Sequence, residues 1–176
     1  MGFMTTYKKR IFDPVACDKE EIDIEDIAHA LSLLCRAGGH FPYFYSVAQH
    51  SVNCAREAMA RGCSARIQLG CLLHDGSEAY LSDITRPIKP LLPTYLEIEK
   101  GLQDKIFSKW ISPELTEDER DAITDIDNTM LYYEFLEIMK ERLYESEPYL
   151  SSNPNFKLTA FETVEKDFLN VFNMLT

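Results

Sequence analysis

Residues 67–78 read IQLGCLLHDGSE, an apolar, helix-forming run that ends in a histidine beside an aspartate. A helix this apolar belongs in a core, and an imidazole or carboxylate carried into a core has to be paired or bound to a metal. Adjacent residues on a helix point roughly 100° apart. His74 and Asp75 can therefore embrace one ion from two directions only if ligands from other segments converge on it. In a continuous helix Glu78 would lie one turn above His74, on the same face. The chain is thus required to surround this helix with others.

The remaining pattern supplies them. Asp23 is an N-cap for a helix marked by Ile24, Ile27, Ala28, Leu31, Leu33 and Leu34, with Gly38-Gly39 as its stop. Residues 36–45, RAGGHFPYFY, are broken by Gly and Pro and read as an aromatic loop. Ser46 and Gln49 form a capping-box pattern for a second helix running to Arg61-Gly62, with His50 in its first turns. Ser64 caps the helix that carries His74 and Asp75, which the spacing extends to near Asp83, before Thr85-Arg86-Pro87. Residues 95–110 make another amphipathic helix, and Thr116 to Glu119 is a capping box opening a long helix to about residue 141. That helix holds Asp125 and Asp127. A Pro- and Ser-containing connection, residues 146–154, leads to a last helix over about 159–175. Residues 1–22 read as an irregular arm or a short hairpin around Ile11 to Val15. Strand patterns are nearly absent, so the expected fold is an all-α bundle of five to seven helices.

At 176 residues the length fits one domain, with a motif core at about 23–140 and the C-terminal helix beyond it. Apolar residues are 45% and charged residues 27%, and no apolar run approaches the roughly 20 residues of a membrane span. Lys8, Lys9 and Arg10 are not followed by an apolar stretch of the secretory kind, so a cytoplasmic location is expected. The five cysteines, 17, 35, 54, 63 and 71, have no zinc-binding spacing and read as reduced core thiols. A net charge of −11 argues against nucleic acid or an anionic membrane as partner. It admits a small anionic substrate, because carboxylates gathered in one site draw in a divalent cation, and the cation attracts phosphate.

A metal site inside such a bundle takes imidazoles and carboxylates from several helices. The candidates are His50, His74, Asp75 and Asp127. Imidazole-carboxylate ligation suits Mn, Co, Fe, Ni or Zn better than Ca. No Ser or Cys nucleophile with an adjacent base is visible, which leaves metal-activated water as the economical nucleophile.

A histidine, then His-Asp, then a distant aspartate resembles the HD-domain phosphohydrolases. The stretches VAQHSV, LLHDGSEAYLSDITRPIKP and DIDNTMLYYEF are similar, in order and spacing, to small bacterial and phage HD hydrolases related to 5'-deoxynucleotidases and deoxynucleotide triphosphohydrolases. The similarity covers roughly residues 23–140. It implies metal bound by His50, His74, Asp75 and Asp127, with Glu78 and Asp83 handling the attacking water and the leaving-group proton. It implies phosphate held by Arg36 and Lys89, for which a forked guanidinium and a compact ammonium are suited. The activity implied is hydrolysis of (deoxy)nucleoside 5'-monophosphates. Alternatives are a deoxynucleoside triphosphate triphosphohydrolase, with Mg carried on the substrate phosphates, and a non-catalytic metal- or nucleotide-binding sensor. A diiron oxygenase ranks last, since only His29 and His40 remain as further histidines. Family habit also implies a homo-oligomer.

Asp127 is preferred to Asp125 because Asp127, Leu131 and Glu134 keep the family register. His29 reads as a satisfied boundary histidine, and Asp83 has a rival role in closing the turn before Pro87. One departure from the family stands out: Arg36 is followed by Ala37-Gly38-Gly39, where the related 5'-deoxynucleotidases carry a bulky residue. Deoxyribose selectivity is then not implied, and the wider pocket is either filled by Phe41 or Tyr43 or open to a larger nucleotide.

Overall fold

Asp23 accepts the Glu25 N–H and starts α1 (Ile24–Leu33) as expected. The helix stops before the glycines. Leu34 turns extended, Cys35 bridges antiparallel to Ser46, Arg36 N–H donates to the Tyr45 carbonyl and Val47 N–H to the Leu34 carbonyl. Residues 36–45 therefore leave α1 and return to the head of the next helix, which pins Arg36 beside it. Ala37, Gly38 and Gly39 carry this loop through left-handed backbone, with φ of 55°, 58° and 78°. Two of those three positions are glycines, for which such backbone costs nothing.

The computed structural model describes residues 2–176, and the fold is all-α apart from a two-stranded hairpin. The hairpin pairs β1 (Met4–Thr5) with β2 (Ile11–Phe12), earlier in the arm than the sequence suggested. Central to the bundle is α2 (Val47–Ala60), which packs against α1, α3 (Ala65–Leu73), α6 (Glu117–Glu134) and α7 (Phe161–Leu175). Ile27, Leu31, Val47, Ala55, Leu72, Leu73, Ile126, Met130 and Phe168 fill the core between them. At Gly70 a Cβ would lie 2.4 Å from Ile123 Cδ1, so this glycine sets how closely α3 approaches α6.

The helix carrying the His-Asp doublet is shorter than expected. α3 ends at Leu73, His74 is its C-cap, and residues 74–77 form a tight turn before the single turn α4 (Glu78–Leu81). His74 and Ser77 keep helical backbone angles while the hydrogen bonds tighten: Gly76 N–H reaches the Leu73 carbonyl and Glu78 N–H the Asp75 carbonyl. Gly76 accommodates this, since a Cβ there would sit 3.0 Å from the Leu73 carbonyl oxygen and 3.2 Å from Ile106 on α5 (Pro93–Trp110). Glu78 consequently opens its own helix instead of stacking over His74.

Thr116 and Glu119 complete both halves of the capping box that starts α6, and a π-turn, Phe135–Met139, carries the helix to Lys140. The box at Ser46 is only half made: Ser46 accepts the Gln49 N–H, but the Gln49 amide turns away to donate to the carbonyls of Asn155 and Lys157. Asn53 and Glu57 do the same kind of work. Asn53 exchanges hydrogen bonds with the Asn155 backbone, and Glu57 accepts the N–H groups of Ser151 and Ser152. Three side chains at four-residue spacing on α2 thus hold the connection to α7 as a strap. Among the described residues the cysteines are free thiols, and no helix is long and apolar enough to cross a membrane.

Candidate metal centre and cleft

His50 projects from the first turns of α2 and has no exposed side-chain surface. Its Nε2 faces three groups: His74 Nε2 at 3.2 Å, Asp127 Oδ1 at 3.1 Å and Asp75 Oδ2 at 3.9 Å. His74 Nε2 lies 3.3 Å from Asp75 Oδ2 and 3.7 Å from Asp127 Oδ1. Ligand atoms bound about 2.0–2.2 Å from one cation stand about 3.0–3.5 Å from each other. The four atoms already keep close to that spacing. The ring orientations agree with it, since His74 Nδ1 lies 2.8 Å from the Cys71 carbonyl and His50 Nδ1 is bonded to Glu134, leaving both Nε2 atoms to face the cluster.

Cys54, one turn beyond His50, adds a fifth group. One ligand atom each from His50, Cys54 and His74 lies within 4.8 Å of the others, a cluster that could hold a metal ion. The thiol had been read from sequence as core filling, and nothing in its spacing signals more. Its sulfur is 3.4 Å from His50 Nε2 and 3.9 Å from Nδ1. Such near-equal distances set it over the imidazole ring, off the axis of the Nε2 lone pair.

Electrostatics favour a cation here. Burial opposes charge on every one of these groups, yet Asp75, Asp127 and Glu134 are all held below the usual carboxylate range. For Asp75 the cause is His74, then Arg36; for Asp127 it is hydrogen bonds from His50 and His74; for Glu134 it is His50, then Arg36. His74 shows the reciprocal effect: burial disfavours its charged form, but Asp75 and Asp127 outweigh that and raise its pKa to about 9. A proton on His74 and the Arg36 guanidinium together balance carboxylates that a divalent ion would balance otherwise.

Arg36 is buried and gripped from three sides, by Glu134 at 3.0 Å, Asp75 at 3.2 Å and Asp127 at 3.4 Å. Lys89 is likewise held, between Glu78 at 3.0 Å and Glu99 at 2.8 Å. Both cations line the cleft above the cluster. Arg86 reaches Asp127 Oδ2 at 2.7 Å from the cleft's rim. Glu78 and Asp83 line the same cleft. Burial, with Asp75 and Asp83 beside it, lifts the Glu78 carboxyl to about 9, and burial raises Asp83 as well. The cleft has a volume of about 560 Å³, and its outer wall is apolar: Phe41, Leu131, Phe135, Met139, Leu143 and Tyr144.

Every candidate site residue therefore meets in one place. Asp125 instead pairs with Arg61 at 2.6 Å outside the site, and His29 bonds Glu165, so neither competes. Tyr43 faces away from the cleft, donating to the Phe156 carbonyl, whereas Phe41 and His40 line it.

No family model matches the chain. It is 38% identical over 113 residues to Uncharacterized protein YfdR of Escherichia coli, covering 64% of this chain and 61% of that protein. It is 39% identical over 98 residues to an uncharacterized protein of Rhodobacter capsulatus, covering 52% of this chain and 48% of that one. The chain thus spans less than two thirds of either relative, and neither name states an activity.

Proposed function

We propose that the protein is a metal-dependent phosphohydrolase of the HD class, acting on small phosphate monoesters of the nucleoside 5'-monophosphate kind. The observation that carries this reading is the convergence of His50 Nε2, His74 Nε2, Asp75 Oδ2 and Asp127 Oδ1 at 3.1–3.9 Å on the floor of a cleft with basic and acidic side chains around it. These four residues would hold a divalent transition ion, which supplies a water of lowered pKa and neutralises phosphate charge. Cys54 is the poorer candidate because its sulfur stands over the His50 ring.

The side chains divide the remaining work. Glu78 spends Oε1 on Lys89, while Oε2 is buried without a partner among the described residues and is free to hydrogen-bond the attacking water. Asp83, with its carboxyl pKa raised, is suited to hold a proton for the leaving oxygen. Arg36 spends three N–H groups on carboxylates, and the others of its five remain for a phosphate. Lys89 and Arg86 add charge at the same cleft. Three cations, each already paired, fit one phosphate better than a triphosphate chain. The apolar outer wall suits a nucleobase or another planar group.

The test is product release from a panel of ribo- and deoxynucleoside mono- and triphosphates by protein loaded with Mn or Co. Metal-dependent release of inorganic phosphate from monophosphates, lost in His74→Ala, is expected. Triphosphate as product would reassign the substrate, and silence across the panel with metal bound would remove the nucleotidase reading.

A further inference from the structure

The turn between α3 and α4 carries both His74 and Asp75, yet it gives up regular helical hydrogen bonding at that point. Its geometry needs support from elsewhere. On α5 the amide of Gln103 supplies it: Nε2 donates to the Leu73 carbonyl at 2.7 Å, and Oε1 accepts the Ser77 N–H at 3.0 Å. The two bonded backbone atoms stand on either side of His74, Asp75 and Gly76. One planar side chain thus fixes the distance across the turn, and Ile106, one helical turn further along α5, packs beneath Gly76.

We infer that Gln103 is a positioning residue for the candidate metal centre, holding the His74-Asp75 turn so that both side chains point at the same ion. This rests on reading those two residues as metal ligands. The amide is well chosen for the task because it offers one donor and one acceptor. A carboxylate at position 103 keeps the acceptor for Ser77 and turns a repelling oxygen toward Leu73; leucine makes neither bond. Supporting groups around metal ligands typically carry 10–100-fold in metal affinity.

Cobalt(II) titration and visible absorption spectra of the wild type, Gln103→Leu, Gln103→Glu and Leu102→Val test the inference. Leu102 is buried on the same helix, in the core, and its variant reports what loosening α5 alone does. Expected is a cobalt affinity about 10–100-fold weaker in Gln103→Leu, with an altered spectrum, and a smaller loss in Gln103→Glu. Leu102→Val should lower the melting temperature and leave affinity and spectrum unchanged. Wild-type affinity and spectrum in Gln103→Leu, or an equal loss in Leu102→Val, would overturn the positioning role. A wild type that binds no cobalt would overturn the metal reading itself, and this inference with it.

Discussion

Glu134 accepts a hydrogen bond from His50 Nδ1 in a contact sealed from solvent on both sides, with neither side chain exposed. An ionised carboxylate can only accept, so Nδ1 carries a proton, and Nε2 is the ring nitrogen that would offer a lone pair to a bound ion. The same carboxylate accepts from Arg36 Nε, which makes Glu134 the joint between the candidate metal ligand and the candidate phosphate-binding residue. Glu134→Gln should weaken cobalt or manganese binding about 10–100-fold in a direct titration while the fold survives. Glu134→Ala should also cost about 3–5 kcal/mol in urea unfolding, because it removes one partner from a buried ionic network.

Glu78 and His74 separate chemistry from metal binding. Glu78→Gln keeps the shape and removes the ionisable group that exchanges a proton with the water, so turnover should fall about 10²–10⁴-fold with metal stoichiometry unchanged. His74→Ala should lose both. Metal analysis of the purified variants beside single-turnover phosphate release checks the pair, and an active Glu78→Gln would strip that residue of its role.

Much of this centre could be read from the chain because imidazoles and carboxylates are rare on apolar helical faces. His74 and Asp75 stood out for that reason, whereas Asp127 was preferred to Asp125 by the register of the family the chain resembles. The break after Leu73 did not, since His74 and Ser77 at its two ends keep helical angles and the hydrogen-bond partners change. Glu134 was visible in the register of its helix, but no sequence pattern says that a glutamate is buried against a histidine. Gln103 and the α2 side chains that grip the strap were silent for a related cause: they bond to backbone, and backbone partners leave no complementary residue type to notice. Arg36 and Lys89 were recognised as cations, while their carboxylate partners are assembled only by the tertiary fold.

Gly70 sets two effects against each other. Alanine would gain about 1 kcal/mol of helix propensity. Its Cβ would meet Ile123 Cδ1 at 2.4 Å and Cγ1 at 3.2 Å, and overpacking of this kind typically costs 1–3 kcal/mol. Gly70→Ala should therefore be destabilising by about 1 kcal/mol, and Gly70→Val by more. A urea midpoint higher than wild type would show that Ile123 yields freely.

Glu57 gives the fold a pH dependence of definite sign. Burial pushes its carboxyl pKa up, but donors from Ser152, Arg61 and Ser151 outweigh this and hold it below the ordinary value. Its stabilisation is fully present above the unfolded pKa, about 4.3, and is lost as pH falls through the lower folded value. The stability advantage of wild type over Glu57→Gln should be flat near neutrality and shrink progressively below about pH 4. Melting temperatures of both proteins across that range measure it, and a constant difference would contradict the assignment.

Gln49, Asn53 and Glu57 succeed one another about 6 Å apart along α2, and they grip Lys157, Asn155 and the Ser151-Ser152 pair in the reverse direction. The strap is therefore graduated like a ruler laid against the helix that bears His50. Between Ser152 and Asn155 its length is matched to a single helical turn, so one added residue there would shift every later mark and misalign the docking of α7. Before Ser151 the hold continues, with Arg61 donating to the Tyr149 carbonyl at 3.0 Å and Tyr133 to the Pro148 carbonyl at 2.8 Å, so slack for an added residue lies only ahead of Glu147.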